Sequence, residues 1–194
     1  GCQEAQTIIV IDEPSSTIDN IVTVDPLCYG STDGTITITA TGLAPLTYSI
    51  NGGATQASNV FTVGSGSYTI EVFDANLCLT TGAAVLADPD SLTMIINQQD
   101  ILCNSDATGT IQIVSTGGTG TLNYSIDNGA TFNTPATNFN FSTLTDGAYT
   151  AYVEDANGCI KTMPVTLTEP AALTATYTAI NDSCFNACLG MIDI

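Results

Sequence analysis

Histidine, arginine and tryptophan are absent from this chain, and Lys161 is its only basic side chain against nineteen Asp and Glu. Without histidine, no Ser-His or Cys-His pair exists to activate a nucleophile, which argues against an enzyme. A formal charge of −18 repels phosphate backbones and anionic bilayers, so nucleic acid is excluded as a partner. Long hydrophobic runs are missing too. The most strongly apolar candidate, "IIVI" at residues 8–11, falls far short of the about eighteen apolar residues a membrane helix needs, so no direct membrane insertion is expected. The sequence also lacks a start methionine and a signal-peptide pattern. It opens on Gly1-Cys2 and stops within "GMIDI", which matches "GTITI" and "GTIQI" further up the chain. The expectation is a window cut from a longer protein. Gly1-Cys2 also suits a lipoprotein processing site, but it aligns with Gly158-Cys159 and the repeat reading is preferred.

What is present is periodic. "EVFDANLC" at 71–78 returns as "YVEDANGC" at 152–159, Cys78 to Cys159 and Pro89 to Pro170 are both 81 positions apart, and Cys28 to Cys103 is 75. A period near eighty residues has to be recognised before any local motif is read. It divides the chain into a tail of a preceding copy (1–14), two full copies (15–89 and 90–170) and the head of a following copy (171–194).

Hydrophobic residues make up 44% and charged ones 10%, and the apolar residues alternate with Thr, Ser and Asn, the period-2 signature of half-buried strands. The pattern points inward Ile36, Ile38, Leu46, Tyr48, Ile50, Tyr68, Ile70 and Val72 in the first copy. In the second it selects Ile111, Ile113, Leu122, Tyr124, Ile126, Tyr149, Ala151 and Val153. Asn51-Gly52 and Asn128-Gly129 supply hairpin turns between the runs. No segment shows a convincing helical period. About seven short strands per copy predict an all-β chain of tandem immunoglobulin-like β-sandwich repeats. Tyr68 and Tyr149, each opening a strand after a glycine, sit where such folds place the tyrosine corner; an ordinary inward aromatic is the alternative.

The paired stretches "CYGSTDGTITITATG...LTYSINGG...GSYTIEVFDANLC" and "CNSDATGTIQIVSTGG...LNYSIDNG...GAYTAYVEDANGC" resemble the SprB repeat of surface adhesins in gliding bacteria of the Bacteroidetes group. The resemblance covers almost the whole chain. It departs at Leu77, which replaces a glycine, at Asp33, whose counterparts Thr108 and Leu189 are not acidic, and at the extra Cys188. It implies a long, type IX-secreted, cell-surface filament used in adhesion or gliding, whose partners are neighbouring repeats and surface polysaccharide or substratum. A passive stalk spacing a terminal domain from the outer membrane, and a carbohydrate-binding module, remain as alternatives. The third is disfavoured by the absence of Trp and by the inward placement of most Tyr and Phe; only Phe73 and Tyr152 point outward on their strand.

Cysteines at repeating positions in an exported protein should form disulfides. In an immunoglobulin-like order Cys28 and Cys103 fall in turns between the first two strands, while Cys78 and Cys159 fall in turns between the last two, at the opposite end of a sandwich. Pairing within a repeat (Cys28 to Cys78, Cys103 to Cys159) therefore conflicts with the limit of about 7 Å between bridged Cα atoms. Cys78 to Cys103 spans two extended strands, up to roughly 80 Å, and conflicts as well. Stacked head to tail, one repeat brings its first turn against the last turn of the next. The expected bridge is Cys28 to Cys159, with Cys2, Cys78, Cys103 and Cys184 pairing outside the window. Zinc is disfavoured because Cys184 and Cys188 lack two further ligands. No cofactor is expected, with calcium held as a candidate for acidic loops at repeat junctions. The recurring Asp74 and Asp155 are read first as Asx turns capping local backbone N–H groups. A paired-carboxylate glycosidase is disfavoured because Glu71 has Tyr152 as its counterpart and Glu154 has Phe73.

Overall fold

The computed structural model describes residues 15–133, 138–180 and 191–193, and every regular element among them is a strand. The described residues form two compact units, one drawn from the chain up to Thr93 with Thr116–Leu122 and Glu154–Ile160, the other from Met94–Ser115, from between Asn123 and Val153, and from Lys161 onward.

The first unit holds β1 (Thr17–Val24), β2 (Gly34–Thr41), β3 (Thr47–Ile50), β4 (Val60–Val63), β5 (Gly66–Phe73) and β6 (Leu79–Leu86). They form two antiparallel sheets ordered β1-β2-β4 and β3-β5-β6. In immunoglobulin lettering these are A-B-E and C-F-G. Six strands build the repeat among the described residues, one fewer than the sequence suggests. The β3–β4 connection carries only the isolated Tyr48–Gln56 bridge where a further strand would run.

Alternation does what it should in β2, where Ile36 and Ile38 are fully buried, and in β5, where Ile70 and Val72 are. Tyr48, Ala84 and Leu86 complete the core, and Ile18, Ile21, Leu46, Ile50, Phe61, Val63 and Tyr68 pack against it. Ile18 and Ile21 would face opposite sides of a regular strand. A bulge between Ile18 and Asn20 reverses the face and lets both pack inward. Asn51 and Gly52 take φ of 51° and 69°, and Gly53 N–H donates to Ile50 O at 3.0 Å, giving the mirror-image turn that a tight hairpin requires.

The second unit repeats the order with β7 (Thr93–Gln99), β8 (Gly109–Thr116), β9 (Asn123–Ser125), β10 (Asn138–Leu144), β11 (Gly147–Glu154) and β12 (Ile160–Leu167), in sheets β10-β8-β7 and β12-β11-β9. Ile111, Ile113, Tyr124, Ala151 and Val153 are fully buried along these strands. After β12 the chain reaches a short antiparallel pair, β13 (Thr178–Ile180) with β14 (Met191–Asp193).

Both tyrosine corners are present. Tyr68 OH donates to Gly64 O and Tyr149 OH to Thr145 O, each at 3.0 Å, tying the first residues of β5 and β11 to the turn before them. The structure therefore holds tandem immunoglobulin-like sandwiches, with no helix among the described residues long and apolar enough to cross a membrane.

Candidate functional site

The cysteine-bearing turns are the most regular feature outside the cores. In the β5–β6 turn Asp74 is buried, and its Oδ1 accepts from the N–H of Asn76 at 2.9 Å and of Cys78 at 2.8 Å. In the β11–β12 turn Asp155 does the same for Asn157 at 2.9 Å and Cys159 at 2.8 Å, and its Oδ2 accepts from Thr119 N–H at 2.8 Å. Each turn is also pinned to the loop after the second strand of its repeat: Ala75 N–H donates to Leu43 O at 3.0 Å, and Ala156 N–H to Thr119 O at 2.9 Å. These carboxylates are spent on backbone donors, the role an Asx turn gives them. Among the described residues, no group of three or more His, Cys, Asp or Glu is placed to hold a metal ion.

Closing the turn requires a left-handed residue just before the cysteine. Gly158 adopts it at φ 81°, and Leu77 adopts it at φ 64° although its side chain disfavours that region.

The opposite turns, β1–β2 and β7–β8, are built from a second shared set of bonds. Ser31 N–H donates to Cys28 O at 3.0 Å and Asp106 N–H to Cys103 O at 3.1 Å. Leu27 N–H is accepted by Asp33 Oδ1 at 3.2 Å, and Leu102 N–H by Thr108 Oγ1 at 2.9 Å, so the acid and the hydroxyl serve as equivalent acceptors. The Ser31 hydroxyl bonded to it holds the exposed Asp33 carboxyl below the usual carboxylate range. Residues that the sequence reading passed over anchor both turns from the strand end preceding the repeated proline. Asp88 accepts from Gly30 N–H at 3.1 Å, and Glu169 from Ser105 N–H at 2.6 Å. The signal was available: an acid precedes both Pro89 and Pro170. Asp25 caps Ala87 N–H at 2.9 Å, and its counterpart Asp100 accepts from the N–H of Thr168 at 3.0 Å and its hydroxyl at 2.9 Å.

Within the first unit Cys28 and Cys159 are joined by a disulfide, Cα to Cα 5.6 Å, across 131 positions of sequence. The Asn157 side-chain amide donates to Leu27 O at 3.1 Å beside the bond. Cys78 and Cys103 are exposed, and Cys103 is a free thiol among the described residues. Cys2 and Cys184 lie outside the described residues. Of the two aromatics expected to point outward, both are half-buried, and Tyr152 packs edge-on against Phe132 with ring centroids 5.6 Å apart.

The SprB repeat model matches this chain twice, at residues 20–55 and 95–131, in each case over the first strands of a sandwich and the cysteine turn between them. None of the curated proteins matches it in sequence. Among solved structures, it is similar at 13% identity and TM-score 0.33 to a chain described under "Structural basis for Dscam isoform specificity", covering 82% of this chain and 47% of that one. It is similar at 13% identity and TM-score 0.32 to domains 4 and 5 of the S-layer protein SbsC, covering 79% of this chain and 96% of that one. Against SbsC domains 1–6 the identity is 13% and the TM-score 0.33, with 88% of this chain and 30% of that one covered. The chain thus spans less than half of two of these three structures.

Proposed function

We propose, from the two segments that match the SprB repeat, that this chain is a covalently clamped segment of an extracellular surface filament that acts in adhesion and gliding motility. The observation that carries the reading is the Cys28–Cys159 bridge, which joins cysteine turns belonging to consecutive sequence repeats. SprB repeats are cell-surface modules, and a disulfide suits the oxidising compartment such a surface faces. The surface chemistry supports the same reading. Uncharged Thr, Ser and Asn faces with a formal charge of −18 keep such repeats soluble and apart from one another at high local density. The filament is delivered by type IX secretion and attached to the outer membrane through other parts of the protein.

Adhesion, as opposed to passive spacing, is tested with beads bearing the oxidised chain, presented to glass and to films of acidic or neutral polysaccharide. Adhesive repeats hold beads on at least one surface above the level of beads bearing an unrelated acidic β-sandwich. Equal detachment forces on every surface would assign the segment to a stalk. A carbohydrate-binding module would instead show saturable binding of a single soluble glycan.

A further inference from the structure

The two repeats present the same receptor surface twice, once covered and once bare. In the first copy it consists of the Leu27-Cys28 turn and the segment 89–92. There Cys28 is bonded to Cys159, Asn157 donates to Leu27 O, and Gly118 N–H donates to Asp90 O at 3.0 Å. The glycine pair lies flat on that segment. A Cβ on Gly117 would fall 2.0 Å from Ser91 O, so no larger residue fits there, and one on Gly118 would press on Leu92 Cδ1 at 3.2 Å.

In the second copy the counterparts, offset by the same 75 and 81 positions, include Leu102, Cys103, Asn104, Pro170 and Leu173. They line an open groove of about 510 Å³. Leu92 is half-buried, yet its counterpart Leu173 is 100% exposed, whereas Leu27 and Leu102 are exposed in both copies. The turn that carries Cys103 is already held in the shape of the Cys28 turn, with Thr108 standing in for Asp33 and Glu169 for Asp88. A preformed groove, a leucine bared at 173 and a thiol at the bridging position repeat a surface whose occupant is visible in the other copy.

We propose that this groove is the receptor for the glycine-pair loop and D-A-N-x-C hairpin of a following SprB-type repeat, closed by a disulfide at Cys103. The proposal rests on reading the chain as part of a tandem array. Bond formation takes two protons and two electrons from the Cys103 thiol and the incoming thiol and passes them to a disulfide-bearing oxidoreductase, which leaves as the dithiol.

The test uses the whole chain with its bridge intact and a head-to-tail cyclic peptide of residues 152–161, its cysteine activated as a 2-pyridyl mixed disulfide. The Cys103 thiolate attacks the peptide sulfur, the new S–S bond forms, and pyridine-2-thione departs and is read by its absorbance. Peptide mapping assigns the site. The hairpin peptide should modify Cys103 about tenfold faster than a cyclic scramble retaining the cysteine, equivalent to about 1.4 kcal/mol of recognition. A peptide with alanine in place of the asparagine should lose part of that preference. Equal rates for hairpin and scramble overturn the proposal, as does a chain that dimerises through Cys103 in preference to taking the peptide. Because the readout is local, selection of the hairpin by a chain that adheres to nothing would sink the adhesive reading and leave the receptor standing.

Discussion

Gly34 and Gly109 open the second strand of each sandwich, and both are there for lack of room. A Cβ on Gly34 would lie 2.7 Å from Leu86 Cδ2 and 2.9 Å from Val63 O, and one on Gly109 would lie 2.8 Å from Leu167 Cδ1 and 2.9 Å from Leu144 O. Since one of the two obstacles is backbone, relaxation must move a strand, and Gly34→Ala should cost about 1–3 kcal/mol in urea unfolding. Leu77 presents the converse case. Its side chain is 78% exposed and its φ is positive, so Leu77→Gly removes strain without opening a cavity. That change should raise stability by about 1 kcal/mol, seen as a higher urea midpoint. The tyrosine corners give a third measure at this scale. Tyr68→Phe deletes one hydroxyl bonded to a carbonyl and should lower stability by about 1 kcal/mol, with the loss seen first as faster amide exchange at the β4–β5 corner.

At the scale of elements, strands were legible wherever one face is buried and the other wet, which is why β2, β5, β8 and β11 stand out in the alternation of Ile, Tyr and Val with Thr. The first strand was harder to read. "TIDNIVTV" breaks the period of two, because the bulge after Ile18 shifts the register by one residue, and a bulge leaves no compositional mark there. The Asx turns were readable from D-A-N-x-C because an aspartate two residues before an asparagine has backbone donors within reach. The acids that anchor the opposite turns escaped notice because Asp88 and Glu169 act on residues 58 and 64 positions away in sequence. These carboxylate caps make the turns sensitive to acid. In the second unit the Thr168 N–H and hydroxyl hold the Asp100 carboxyl below its ordinary 3.8, and the Ser125 and Thr131 hydroxyls hold Asp127 further below. A depressed folded-state value means the unfolded chain takes up protons first as pH falls. The stabilisation is therefore present above about pH 4 and is lost as pH drops through the folded-state values. Urea midpoints should be level down to about pH 5 and decline below it, and Asp100→Asn should flatten part of that decline. A midpoint that stays level to pH 2 would refute the assignment.

For the whole molecule, the period near eighty residues made the tandem architecture readable before any strand was placed. The cysteine pairing depended on topology, since spacing alone allowed three patterns. Cys28→Ser leaves each sandwich core untouched and removes only the bridge, whose loop spans 131 residues. In the chain-entropy model the bridge is worth about 4–5 kcal/mol, to be read as a lower midpoint for the unit that contains it. The loop also decides how much of the polypeptide a pulling force could pay out. A chain held by its two ends transmits load into Cys28, through the sulfurs and out at Cys159, so that β2 to β11 lie off the loaded path. Some 131 residues are thereby withheld from stretching. At about 3.3–3.6 Å each they amount to roughly 430–470 Å of contour length, which becomes available only when a reductant cuts the bridge.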